Sequence, residues 1–177
     1  CQGGLMLTQS TKEIALHPRG PYLLADALED YPLPHDLLIF DCPATLVPLP
    51  LVAVAAATHI LIPIQPQPKS VQGSAKLLEW LYTLNRQLRL KPEPQILGFL
   101  PTQYDSRRAT QRQLLNSLPQ QLAKLKLPCY PPIRDSAEFV NASGVGLPLP
   151  LYRPNHPAAR DFDPIAQVLE SLIRDHH

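Results

Sequence analysis

Three short apolar runs limit what this chain can fold into more than any other feature. They are Leu37-Leu38-Ile39-Phe40, ending in Asp41, then Ile60-Leu61-Ile62-Pro63-Ile64, then Gln95-Ile96-Leu97-Gly98-Phe99-Leu100. None alternates apolar with polar residues, so each predicts a strand buried on both faces, as in a parallel sheet covered by helices. Helical patterns fill the gaps. Residues 49–57 are small and apolar, suited to a buried crossover helix. Residues 70–90 place Val71, Leu77, Leu78, Leu81, Leu84 and Leu88 at helical spacing. Residues 108–126 repeat the pattern through Leu114, Leu115, Leu118, Leu122 and Leu125, and Pro119 is expected to break that helix in two. Ile165, Val168, Leu169, Leu172 and Ile173 line a last helix opened by Asp163-Pro164, and a shorter helix is expected over Tyr22 to Leu28. The expected class is therefore α/β: a mainly parallel twisted sheet with helices on both faces, in one domain. In such sheets ligands sit at the carboxyl ends of the strands.

Proline is the compositional outlier, 22 of 177 residues. Pro48, Pro50, Pro63, Pro66 and Pro68 cut up the longest apolar stretch, so no transmembrane helix is expected. An apolar share of 45% at this length supplies a core and excludes intrinsic disorder. Three scattered cysteines exclude a disulfide framework or a four-ligand zinc site, and a reducing cytosol is the expected compartment. Cys42, at a strand end before a proline, reads as a packed thiol. No histidine pair has ligand spacing, and no nucleophile elbow occurs. The chain opens on Cys1 and its one methionine is Met6, so it reads as part of a longer protein.

A net charge of +1 hides an uneven distribution. Residues 1–79 hold 4 basic and 7 acidic side chains, residues 80–134 hold 9 and 2, and residues 135–177 hold 3 and 6. Within the middle, residues 106–134 carry Arg107, Arg108, Arg112, Lys124, Lys126 and Arg134 and no acid. Such a cationic stretch is either a solvated helix face or a surface that attracts phosphate backbones.

The order of several motifs adds a resemblance. The segment Leu37 to Thr45 (LLIFDCPAT) resembles the Walker B segment of the ParA/MinD family of deviant P-loop ATPases. Leu61 to Pro66 (LIPIQP), Ser70 to Leu78, Ile96 to Arg107 (ILGFLPTQYDSR), Pro132 to Ala142 (PIRDSAEFVNA) and Gly146 to Tyr152 follow in the family's order. Ala44 stands where the family usually has a second proline. The family's leading KGGxGKT loop and its DxDPQ segment do not occur in the sequence. The chain thus looks like the C-terminal two-thirds of such a protein, lacking the N-terminal strand and phosphate loop.

The resemblance implies roles for particular residues. Asp41 matches the acid that holds Mg2+ through a water; taken alone, an acid at a strand end equally well caps the next helix. Thr102, Gln103 and Tyr104 end a strand, and Pro132 and Ile133 occupy the loop where relatives contact adenine, positions that packing alone also explains. Arg107, Arg108, Arg112, Lys124, Lys126 and Arg134, with Arg153 and Arg160, fall where relatives bind DNA without sequence preference. The implied parent is an ATP- and Mg2+-dependent partitioning or positioning ATPase of the cytoplasm and nucleoid. Its ATP-bound homodimer binds DNA and is stimulated by a ParB-like partner. Alternatives are a nucleotide-free DNA-binding or scaffold remnant and a cofactor-biosynthesis ligase of the same superfamily. Without a phosphate loop, no turnover is expected from residues 1–177 alone.

Overall fold

The structure, a computed structural model, describes residues 5–42 and 49–175, with side chains described for 11–42 and 49–174. In chain order the described elements are α1 (Leu5–Leu16), a 3₁₀ turn (Gly20–Tyr22), α2 (Leu23–Asp30), α3 (Leu49–Ala56), β1 (His59–Ile64) and α4 (Pro68–Leu88). They continue with β2 (Gln95–Pro101), α5 (Ala109–Ala123), α6 (Ala137–Gly144), α7 (Leu149–Tyr152), α8 (Pro157–Arg160) and α9 (Asp163–Asp175). Two compact units emerge, Cys1–Ile60 with Trp80–Gln95, and Leu61–Glu79 with Ile96–His177. None of the described helices is long and apolar enough to cross a membrane.

In the first unit, α2 lies against α3 and the 3₁₀ turn. Tyr22 donates its hydroxyl to the Leu88 carbonyl near the end of α4, and Arg19 pairs with Asp26 at 2.6 Å. Leu81 and Leu84, four and seven residues after the apolar Leu77, are buried as the periodicity predicts. The segment 37–42 departs from expectation. It is irregular, not a strand, and Ile39 is 76% exposed. An apolar run becomes a strand only when a neighbouring backbone completes its ladder, and no described segment pairs with it. Cys42 is exposed here, not packed. The continuation Pro43 to Thr45 lies outside the described residues.

The second unit is built on β2. The strands β1 and β2 are neighbours and run the same way, because the Gln95 N–H reaches the Thr58 carbonyl at one end and the Thr102 N–H reaches that of Ile64 at the other. On its opposite edge, β2 pairs in parallel with the extended segment 128–135 through the bridge Phe99–Cys129, and the chain just beyond β2 continues that pairing at Tyr104–Arg134. Phe99 and Pro101 are fully buried, as a strand covered on both faces requires. Gly98 has φ +138°, and a Cβ there would lie 2.6 Å from the Pro128 carbonyl oxygen, so the two backbones approach this closely only because the residue is glycine.

One apolar cluster packs helices against this sheet and a second packs the short helices on one another. Leu100, Ile133 and Ile165 form one, with Tyr130, Phe139 and Val168 around it; Ala142, Leu149, Ala158 and Ala159 form the other. The helix α5 runs unbroken through Pro119, against expectation. Pro119 is exposed, so water can take up the carbonyl that its missing N–H leaves unpaired, while Leu118 and Leu122 stay buried on the other face. The helix α6 opens at Ser136, whose hydroxyl accepts the Glu138 N–H at 3.3 Å.

Candidate functional site

The carboxyl ends of β2 and of segment 128–135 bring the five strand-end candidates together. Thr102 leaves β2 half-buried, its N–H held by Ile64 at 2.8 Å. The next residue, Gln103, takes φ +54°, a left-handed conformation that a non-glycine residue adopts only when its surroundings impose it. Before this kink Thr102 turns its backbone to β1; after it Tyr104 turns to the other edge, donating to the Ile133 carbonyl at 3.0 Å. Gln103 is exposed, and its side-chain oxygen accepts a hydrogen bond from Gln65 at 2.6 Å.

Pro132 is half-buried beside this mouth, but Ile133 is not a surface contact. Its side chain is 4% exposed and packs on Leu100 and Ile165. Its N–H donates to Pro101 at 2.8 Å and its carbonyl is taken by Tyr104. Ile133 therefore anchors the loop rather than facing a ligand. Gln65, in the segment Leu61 to Pro66, joins this site although its sequence position signals no role. It also lines a cavity of about 280 Å³ between the end of β1 and the first turns of α4, with Ser70, Gly73 and Ser74.

Asp41 belongs to the first unit, where it is exposed and accepts no hydrogen bond from a described residue. A solvated carboxylate of this kind is a suitable hard oxygen donor for Mg2+.

The eight candidate DNA contacts divide into two groups. Arg107 and Arg108 both pair with Asp105, at 2.9 and 3.5 Å. Arg134 pairs with Asp161 at 2.7 Å and Arg153 with Glu138 at 3.1 Å. Hydrogen bonds from the Arg107 side chain and backbone hold the Asp105 carboxyl down at about 2. The bond from Arg134 likewise lowers Asp161. Arg112 donates to the Ser106 carbonyl at 2.6 Å, while Lys124, Lys126 and Arg160 are exposed and make no ion pair among the described residues. Arg107, Arg108 and Arg112 stand at the start of α5 and the two lysines at its end. Its 15 residues separate the two sets by roughly 22 Å. The two ends of the basic run are thus well separated along α5, and four of the eight expected contacts are ion-paired within the fold, sharing three carboxylates between them.

The fold and the strand-end site define the class: a parallel α/β protein with its candidate ligand residues at the carboxyl edge. A family described as an AAA domain, AAA_31, matches residues 2–93. The chromosome-partitioning ATPase Soj of Thermus thermophilus is 27% identical over 96% of this chain and 64% of its own. Among solved structures, McdA of Cyanothece superposes with TM-score 0.78 at 20% identity, over 93% of this chain and 65% of that one. Cobyrinic acid a,c-diamide synthase of Mycobacterium smegmatis, with bound ADP and magnesium, gives TM-score 0.64 at 27% identity, over 76% and 53%. The chain belongs to the ParA/MinD family of deviant P-loop ATPases. It spans slightly under two-thirds of the Soj length.

Proposed function

We propose that the protein carrying this chain is an ATP-dependent partitioning or positioning ATPase. The observation that carries this reading is the match to the partitioning ATPase Soj along 96% of the chain. ATP is its substrate, bound with the base near Thr102, Gln103, Tyr104 and Pro132, while Ile133 fixes the loop from beneath. Asp41 is the residue that would hold Mg2+, which, when bound, would neutralise phosphate charge. Two copies associate in the ATP state, bind DNA through phosphate contacts, and meet a ParB-like stimulating partner in the cytoplasm, on the nucleoid. Among the cations, Lys124, Lys126, Arg112 and Arg160 have charge to offer phosphates; Arg107, Arg108, Arg134 and Arg153 serve the fold first. Nothing in residues 1–177 supplies a Gly-Lys-Ser/Thr phosphate grip, so ATP turnover is a property proposed for the complete protein.

A second reading has one observation in its favour. The 27% identity to a cobyrinic acid synthase suits a cofactor-biosynthesis ligase. Fluorescence anisotropy of the complete protein on two unrelated duplexes, with and without Mg-ATP, separates the two. Equal, ATP-dependent binding to both supports partitioning. Absence of DNA binding in the ATP-loaded protein overturns it in favour of the ligase.

A further inference from the structure

We propose that Asp161 is a positioning residue of the nucleotide site, holding the 132–135 turn in place through Arg134; this rests on the reading of that turn as base-facing. The Asp161 carboxylate takes three hydrogen bonds from Arg134. The main-chain N–H and Nε both donate to Oδ2, at 3.0 and 2.7 Å, and Nη2 donates to Oδ1 at 2.8 Å. Its side chain is only 13% exposed, against 49% for Arg134. The main chain that carries this carboxylate is itself held, since the Asp161 N–H donates to the Pro157 carbonyl at 3.2 Å and the helix α9 starts two residues later.

The same turn is held from its other side by the end of β2. Tyr104 donates to Ile133 and accepts from Asp135 at 2.9 Å. Pro132, which has no N–H to contribute, is therefore carried by a turn clasped on both flanks. Beneath it Ile133 packs on Ile165, a residue of α9, so the polar clamp and the apolar contact join the same two segments. A partly exposed ion pair adds little to global stability. A two-pronged guanidinium–carboxylate contact instead fixes direction and distance. Base recognition depends on such placement, because contacts that drift by a fraction of an ångström lose their effect. Asp161 lies 27 residues beyond Arg134 and outside every motif noted in the sequence.

The test uses the complete protein with Asp161→Asn, which keeps the shape and one acceptor and removes the charge. Calorimetry measures Mg-ATP and Mg-tripolyphosphate binding, and the melting temperature is followed in parallel. The expected result is a roughly tenfold loss of ATP affinity with tripolyphosphate affinity unchanged. Asp161→Glu should restore part of the loss. Arg134→Lys, which retains the main-chain contact but not the fork, should show the same selective loss to a smaller degree. Unchanged affinity for both ligands in Asp161→Asn overturns the proposal. So does a parallel fall in both affinities together with the melting temperature, which marks a merely structural pair. A native protein that binds tripolyphosphate as tightly as ATP, or binds neither, overturns the base-facing reading itself and this inference with it.

Discussion

Asp105 grips Arg107 with both carboxylate oxygens, at 2.9 and 3.2 Å, and also accepts the Arg107 main-chain N–H at 3.0 Å. Its own N–H is taken by the buried Gln111 at 2.8 Å. The entry to α5 is thereby stapled, and an arginine expected to face phosphates is balanced within the fold.

Asp105 should give stability a specific acid dependence. Its folded carboxyl titrates at about 2 against an ordinary 3.8, so the native state binds fewer protons than the unfolded chain between those values. The contribution is complete above the ordinary range and is lost as pH falls through about 2. Urea titrations should show Asp105→Asn less stable than the native sequence at about pH 6, with the gap closing as pH approaches 2. A gap that persists in acid would show that the carboxylate charge is not the cause.

DNA binding by the ATP-loaded complete protein should depend on Lys124 and Lys126 more than on Arg107 and Arg108. Removing two phosphate contacts should make the log–log salt dependence shallower by about 1.8 for each DNA-bound subunit. Anisotropy of Lys124→Ala/Lys126→Ala against Arg107→Ala/Arg108→Ala over a salt series checks this. A larger effect from the arginine pair would mean that Asp105 releases them on binding.

Two glycines should respond in opposite directions to alanine. Gly98→Ala places a Cβ 2.6 Å from the Pro128 oxygen at φ +138°, and should cost about 2 kcal/mol or more. Gly73 is exposed in α4 and a Cβ there meets nothing within 4 Å. Gly73→Ala should stabilise by about 0.5–1 kcal/mol through helix propensity. Chemical denaturation of the two variants decides both signs.

Pro119→Ala should also stabilise. The proline sits exposed inside α5 and denies the helix one backbone hydrogen bond. Alanine restores it, for a gain of about 1 kcal/mol or more, with no loss of buried surface. Equal or lower stability by thermal melts would show that the local helix depends on the fixed proline φ.

Local pattern carried much of this fold. The apolar runs at 60–64 and 95–100 became β1 and β2 because each is continuous over a strand's length. The spacing of Leu78, Leu81 and Leu84 set α4 because a helix returns to one face every three or four residues. The same kind of evidence, read at Leu37 to Phe40, suggested a strand that the described structure does not form. Strand propensity is local, but a strand exists only where another backbone lies alongside. At Pro119 the helix continues although the proline still costs it a backbone hydrogen bond, because that face is exposed and Leu118 and Leu122 stay buried on the other.

By itself, the sequence determined the α/β class, the main helices, and the position of Thr102, Gln103 and Tyr104 at the end of an apolar run, while Pro132 was implied to join them only by the family resemblance. The class, the helices and the strand end follow from nearest-neighbour chemistry and from the order of elements along the chain. Only the tertiary structure decided that Ile133 faces the core, that Gln65 reaches Gln103, and that Arg107 and Arg134 are claimed by Asp105 and Asp161. Counting charges along 106–134 missed one acid a single residue outside the window and another 27 residues beyond Arg134. Coulomb attraction and hydrogen bonding act through space, and sequence distance does not measure them.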